Sequence, residues 1–196
     1  MRNNPGVADA HDSFDAIPLA AAVLAGQSAD RLNDTERDVI EAYALGGYER
    51  INQAMRETIP MTDELDRRIE AIRSGLRKYP LPQTVRVTRE TEAAIYGLSD
   101  EASARALVDV EFREAGFLST SGAAIPPHSK RHIDPVILDL IVPVGTPALR
   151  LGELAEIPEE REVLIIDARS YFIVDVAFDA ARSMWRIYAV VMEGEL

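Results

Sequence analysis

Between residues 63 and 78 the apolar positions recur with a helical period: Leu65, Ile69, Ile72 and Leu76 fall at spacings of 4, 3 and 4, which puts them on one face of an α-helix. Thr62 stands where an N-cap belongs, Asp63 and Glu64 suit the positive end of the helix dipole, Arg77 and Lys78 suit its negative end, and Pro80 stops the run. Three segments before it also read as helical. The apolar "IPLAAAVLAG" (17–26) predicts a short helix, Asn33 or Asp34 can cap "TERDVIEAYAL" with Gly46 and Gly47 as its stop, and "YERINQAMRE" (48–57) resumes a helix that ends before Pro60. Beyond residue 80 the period changes to two. "TVRVTRE" (84–90) alternates as a strand does, a helix over about 99–114 follows, and after Gly116 come "FLSTS", "VILDLIVPV", "EVLIIDA", "YFIVDVAF" and "MWRIYAVVM". Helices first, then strands with almost no helix between them, predict an α+β fold with largely antiparallel sheets, not a doubly wound Rossmann sheet.

At 196 residues the chain suffices for one sizeable core. The expectation is one compact domain over 33–196, with residues 1–32 as a peripheral N-terminal extension, partly loose and carrying the short helix. No apolar stretch approaches the roughly 20 residues of a membrane helix, and Asp9, Asp12 and Asp15 precede 17–26 where a secretory signal carries positive charge. The chain therefore reads as soluble, with no membrane partner. With no cysteine, there is no disulfide framework, thiolate nucleophile or cysteine-ligated zinc, and the compartment stays open. A net charge of −12 opposes binding to nucleic acid, which relies on Lys and Arg neutralising phosphates. It suits a basic protein partner, or serves only solubility.

No G-x-G-x-x-G, P-loop, G-x-S-x-G or H-E-x-x-H is present. His128 and His132 bracket "HSKRH" behind Pro126-Pro127 without a nearby third ligand, so the segment reads as an exposed basic loop and no metal is expected. On a strand, Glu160 and Glu162 would share a face and Arg161 would point the other way. Alone, such a pair is most often a solvated strand entrance. Here it has company: Arg89 ends the first strand, Ser119-Thr120-Ser121 lies on another, and Glu160-Arg161-Glu162 opens a third.

In that order, the set resembles the mono-ADP-ribosyltransferases of the arginine, STS, Glu-x-Glu class, the bacterial ADP-ribosylating exoenzymes that include clostridial actin-modifying binary toxins and Rho-modifying enzymes. The flanks are similar too: "GGYERINQAMRE" to the family's helix pattern, "LPQTVRVTR" to its approach to the strand arginine, "AGFLSTS" to its Gly-Phe-x-Ser-Thr-Ser, and "VPVGTPALRLGELAEIPEEREVLI" to its turn-turn loop leading into Glu-x-Glu. Together these span residues 40–170.

The resemblance implies two packed sheets forming an NAD cleft, and transfer of ADP-ribose from NAD to an arginine of a target protein with release of nicotinamide. NAD is then a substrate. Arg89 and Arg56 would clamp its pyrophosphate, which needs local cations on so acidic a chain, and Asn52 of the helix pattern joins the binding set. Glu162 would stabilise the oxocarbenium-like transition state and bind a ribose hydroxyl. Ser119 would hold the nicotinamide ribose and orient Glu162, while Thr120 and Ser121 fix the binding strand through its backbone. Glu160 would pair with the acceptor guanidinium and help to deprotonate it; relatives with glutamine there tend to modify asparagine, those with glutamate arginine. Arg161 should point away.

Some positions depart from the pattern. Glu90 stands where many members have glycine or another arginine, with its backbone contact to the nicotinamide amide expected to survive. The loop "LAEIPE" lacks the aromatic often used to dock the target. Lys130 and Arg131 touch phosphate or adenine, or stay solvated. The role implied is a toxin, effector or phage-encoded modifier, secreted or delivered into a target cell, acting as a monomer and with room for a neutralising immunity protein. The competing readings are an NAD glycohydrolase and a non-catalytic interaction or virion module that keeps the fold.

Overall fold

The computed structural model describes residues 13–155 and 157–192. The helical part comprises α1 (Ala20–Val23), α2 (Asp34–Ala42), α3 (Tyr48–Met55) and α4 (Asp63–Arg77). Local chemistry sets the boundaries. Thr62 Oγ1 accepts the Leu65 N–H at the start of α4, and Leu65, Ile69, Ile72 and Leu76 are all buried on its inner face. Asn33, not Asp34, caps α2: its side chain accepts the Glu36 N–H while the Glu36 carboxylate accepts the Asn33 N–H. Gly46 and Gly47 interrupt the helical run as expected: Leu45 and Gly46 leave helical geometry, Gly46 at a positive φ of 117°, and past this kink the chain resumes as α3 from Tyr48.

The strands are β1 (Val85–Glu92), β2 (Glu111–Glu114), β3 (Leu118–Ser121), β4 (Pro135–Val142), β5 (Ala148–Arg150), β6 (Glu162–Ile165), β7 (Arg169–Asp179) and β8 (Met184–Val191), with α5 (Glu101–Leu107) between β1 and β2. The helix expected over 99–114 is shorter, and its second half is strand. At Asp109 the backbone takes a positive φ of 68°, Asp109 N–H and Val110 C=O pair with Ile173, and β2 runs antiparallel to β7. The apolar gain lies with Phe112, whose ring packs between Tyr96 and Tyr171. Tertiary pairing overrides helix propensity here.

Strand order is β2-β7-β8-β4-β1-β3-β6-β5, and each pairing is antiparallel except β4 with β8. The α+β architecture is thus a helical N-terminal part followed by a large mixed sheet of 8 strands. The two expected packed sheets are halves of this one ladder. They join at a single pair, Thr88 with Ser121, and fold face to face. Leu118, Val163, Ile165 and Ala148 of one half share a core with Val85, Val87, Leu138, Leu140 and Ile187 of the other. The opposite face of the β3-β6-β5 half, through Leu149, Leu164 and Ile166, packs on Ile40, Ile69, Ile72 and Leu76.

The described part of the N-terminal segment is not peripheral. Phe14, Ala20 and Leu24 are buried, Pro18 C=O accepts the Arg86 N–H and Ala21 N–H donates to Gly122 C=O. A Cβ on Gly122 would lie 2.6 Å from the Ala21 nitrogen, closer than any side chain tolerates. The segment therefore runs beside β1 at Arg86 and meets the chain at Gly122, just past Ser119-Thr120-Ser121. Below it Arg86 holds the fully buried Asp139 through two bonds of 2.8 Å and reaches Asp15. Residues 1–12 and 193–196, where the loose end of the extension and the C-terminus fall, lie outside the described residues. No described helix is long and apolar enough to cross a membrane.

Candidate functional site

Where the two halves of the ladder part, β1 and β3 border an open cleft of about 590 Å³. Its walls come from four places: Tyr43, Tyr48 and Asn52 of the helical part, Arg89 and Glu90 of β1, Ser119–Ser121 of β3, and the loop that contains His128, Ser129, Arg131 and His132. Ile157, Glu160 and Glu162 close the remaining side. A second hollow of about 610 Å³, around Met55, Ile59, Arg73 and Asp167, holds none of the motif residues.

Glu162 opens β6 opposite Ser121, and Ser119 Oγ donates to its Oε1 at 2.5 Å. Burial raises the Glu162 carboxyl above the ordinary carboxylate range; the Ser119 bond opposes this, neighbouring Glu160 adds to it and the Arg89 charge lowers it. Glu160 reaches the cleft by a different route from strand alternation. It ends a 3₁₀ turn (Pro158–Glu160), and Arg161 then takes a left-handed conformation with φ 54° before β6 begins. The turn, not a shared strand face, brings the two carboxylates to one cleft, and Arg161 C=O accepts the Gly122 N–H. The Arg161 side chain lines a separate hollow with Ala21 and Arg150.

Thr120 Oγ1 donates to Val163 C=O at 2.7 Å and Ser121 Oγ to Glu160 C=O at 2.9 Å. These hydroxyls tie β3 to the segment carrying both glutamates. Asn52 is buried and committed on both sides: it donates to Tyr43 OH at 3.0 Å and accepts the Phe117 N–H at 3.1 Å. It lines the cleft while bolting α3 to the start of β3.

The two arginines of the expected clamp differ. Arg89 lines the cleft, and among the described residues no hydrogen bond or ion pair engages it. Arg56 lies outside the lining and is held as a fork by Glu114, with both N–O distances 2.9 Å. Glu114 is itself fixed by the Gly116 N–H, and although burial opposes, these partners hold its carboxyl below the usual range. Arg56 therefore fits the expected NAD-binding set less well, because a carboxylate already fills its bidentate face.

Glu90 lines the cleft, but its carboxylate turns to the neighbouring loop. Its side chain is 6% exposed and is engaged by His128, Ser129 and His132. Of the two cations expected in this loop, Arg131 lines the cleft and reaches Glu49 at 3.5 Å. Among the described residues no group of His, Cys, Asp and Glu is arranged to hold a metal. Sequence reasoning missed Tyr43 altogether. Its ring is buried against Phe117, and burial pushes its phenol up, with the charges of Arg89, Glu162 and Arg56 all felt at its oxygen. The "Y…GGY…IN" spacing was the only signal available.

A model of the family described as ADP-ribosyltransferase exoenzyme matches residues 23–187. Among solved structures, the chain is similar to Plx2a, an ADP-ribosyltransferase toxin from Paenibacillus larvae, at 23% identity over 84% of this chain and 89% of that one, with a TM-score of 0.71. It is similar to C3stau2 from S. aureus, solved with NAD, at 20% identity over 96% of each chain, with a TM-score of 0.72. BECa, an ADP-ribosylating toxin of a binary enterotoxin of C. perfringens solved with NADH, matches at 21% identity over 95% of this chain but 48% of its own, with a TM-score of 0.73. Comparison with curated protein sequences finds no match.

Proposed function

Because the chain belongs to the ADP-ribosyltransferase exoenzyme family, we propose that it transfers ADP-ribose from NAD to an arginine side chain of a target protein, releasing nicotinamide. The observation that carries this reading is the convergence of Ser119-bound Glu162, neighbouring Glu160 and unengaged Arg89 on one cleft. Relatives of this fold solved with NAD and NADH support the dinucleotide as substrate.

In this reading Arg89 binds the pyrophosphate by charge-assisted hydrogen bonds. The bond between the ribose carbon and the nicotinamide nitrogen breaks, and its electron pair neutralises the pyridinium. Glu162, preset by Ser119, faces the positive charge left on the ribose, where a fixed anion lowers the barrier. A nitrogen of the acceptor guanidine then attacks the ribose carbon while Glu160 pairs with the guanidinium and takes up its proton. Glu160 in place of glutamine supports arginine as the acceptor. A toxin or effector role follows the character of the relatives, Plx2a being a toxin. The protein acts alone on its target, and an immunity protein is the neutralising partner such a role would call for.

The test is to incubate the protein with labelled NAD and a target-cell lysate. Label on a protein band, lost on hydroxylamine treatment as arginine adducts are, supports the proposal. Nicotinamide release without protein label gives an NAD glycohydrolase instead, and neither activity leaves a non-catalytic module.

A further inference from the structure

Glu90 follows Arg89 on β1, yet its carboxylate serves the loop that forms the facing wall of the cleft. The Ser129 N–H donates to Oε1 at 2.8 Å, His132 Nδ1 lies 2.9 Å from the same oxygen, and His128 Nδ1 lies 2.9 Å from Oε2. An ionised carboxylate only accepts hydrogen bonds, so both imidazoles present a proton on Nδ1. Pro126, Pro127, His128, Ser129, Arg131 and His132 all line the cleft, so the three bonds determine where that wall stands.

We propose that Glu90 is a positioning residue for the reaction: with His128 and His132 it latches the 126–132 loop against β1, and the latch tightens as the imidazoles take up protons, so that NAD is held more firmly at mildly acidic pH. The proposal rests on the reading of the cleft as an NAD site. A protonated imidazole gives a charge-assisted bond to carboxylate, roughly twice as strong as a neutral one, and imidazole is the side chain whose charge changes in this pH range. Burial acts against the Glu90 anion, but the Ser129 N–H and the two histidines outweigh it and hold the carboxyl below its ordinary range. The acceptor therefore stays ionised over this pH range.

Of the other described charged groups nearby, most are engaged elsewhere and two, Arg89 and Lys130, are cations that do not reach Glu90. Glu92, two residues along β1, accepts the Ile133 N–H. From β4 the residue opposite Glu90 is Ile137, and beyond it on β8 stands Arg186, which reaches Asp139 and the Ala124 C=O. Arg131 of the loop turns to Glu49 on the helical side, Arg89 faces the cleft from the other side of β1, and Lys130 is the remaining loop cation.

The first readout needs no NAD. In the wild type, amide hydrogen exchange at Ser129–His132, corrected for the intrinsic pH dependence, should show protection that drops several-fold from about pH 5.5 to about pH 8. In His128→Gln/His132→Gln the protection should be the same at both pH values and match the wild type at the higher one. Glu90→Gln should likewise remove the pH dependence. The second readout is the dissociation constant for NAD, expected to rise on the order of threefold to tenfold over the same interval in the wild type and to stay level in the double-histidine variant. Flat protection in the wild type, or an equal drop in the variants, overturns the latch and leaves the proposed function standing. A pH-dependent loop with no NAD binding at either pH overturns the positioning role and the proposed function together.

Discussion

Ser119 Oγ and Glu162 Oε1 stand 2.5 Å apart across the β3–β6 pair, although Glu162 lies opposite Ser121 in register and Ser119 lies opposite Leu164. The bond is thus a diagonal one along a shared face, made possible because both side chains lean toward the cleft. It fixes the rotamer of the carboxylate and resists the rise in its pKa caused by burial.

Ser119→Ala removes a lowering influence on Glu162, so its pKa should rise further. The acid limb of nicotinamide release should then shift to higher pH, and the rate at neutral pH should fall on the order of tenfold to a hundredfold. A pH-rate profile with an unmoved acid limb would show that the serine does not tune the carboxylate.

Glu162 should also cost the fold stability. Its native pKa is raised above the model-compound value of 4.5, so the unfolded state releases the proton more readily. The stability this group contributes is complete below pH 4.5 and is lost as pH rises through the native value. Glu162→Gln should accordingly raise the melting temperature at pH 7, with the advantage shrinking toward pH 4. A variant that melts lower than wild type at pH 7 would mean that the ionised carboxylate is a structural asset.

Arg89 and Arg56 should behave oppositely. Arg89→Ala should weaken NAD binding roughly tenfold to a hundredfold, the equivalent of about 1.5–3 kcal/mol for charge-assisted bonds, with little change in thermal stability. Arg56→Ala strands the Glu114 carboxylate, whose side chain is 17% exposed. It should destabilise by about 1–3 kcal/mol in a denaturant titration and change NAD affinity less than Arg89→Ala does. If the arginines exchange these phenotypes, Arg56 is the phosphate clamp and Glu114 only parks it.

Much of this arrangement was legible in the chain. The helical spacing of Leu65, Ile69, Ile72 and Leu76 identified α4 because all four positions point into one core, and Arg89, Ser119, Glu160 and Glu162 do meet at one cleft. What could not be read is what depends on long-range pairing. β2 was hidden because "EFRE" has too little apolar character of its own, and becomes a strand only beside β7. The Arg56 side chain read as a ligand group, and the partners of the Glu90 side chain went unread, because nothing local reveals Glu114 or the two histidines as partners 58 and about 40 residues away. The N-terminal segment read as peripheral because its contact with Gly122 lies about 100 residues off.

The two glutamates of the cleft provide the most discriminating test, since the turn at Arg161 gives them different settings. Glu162 begins a strand, accepts from Ser119 and carries a raised pKa. Glu160 ends a 3₁₀ turn and engages β3 only through its backbone carbonyl, so its carboxylate is available to an incoming acceptor. Glu162→Gln should abolish both nicotinamide release and protein labelling, by roughly 10²- to 10³-fold. Glu160→Gln should abolish labelling of arginine while much of the slow hydrolysis of NAD survives, because water needs no guanidinium partner. Its fold should be intact, since the Ser121 bond goes to the main chain. Fluorescence of released nicotinamide and gel labelling, measured on the same preparations, separate the two. Equal loss of both activities in both variants would place Glu160 within the NAD site, and retention of both would remove the pair from the chemistry.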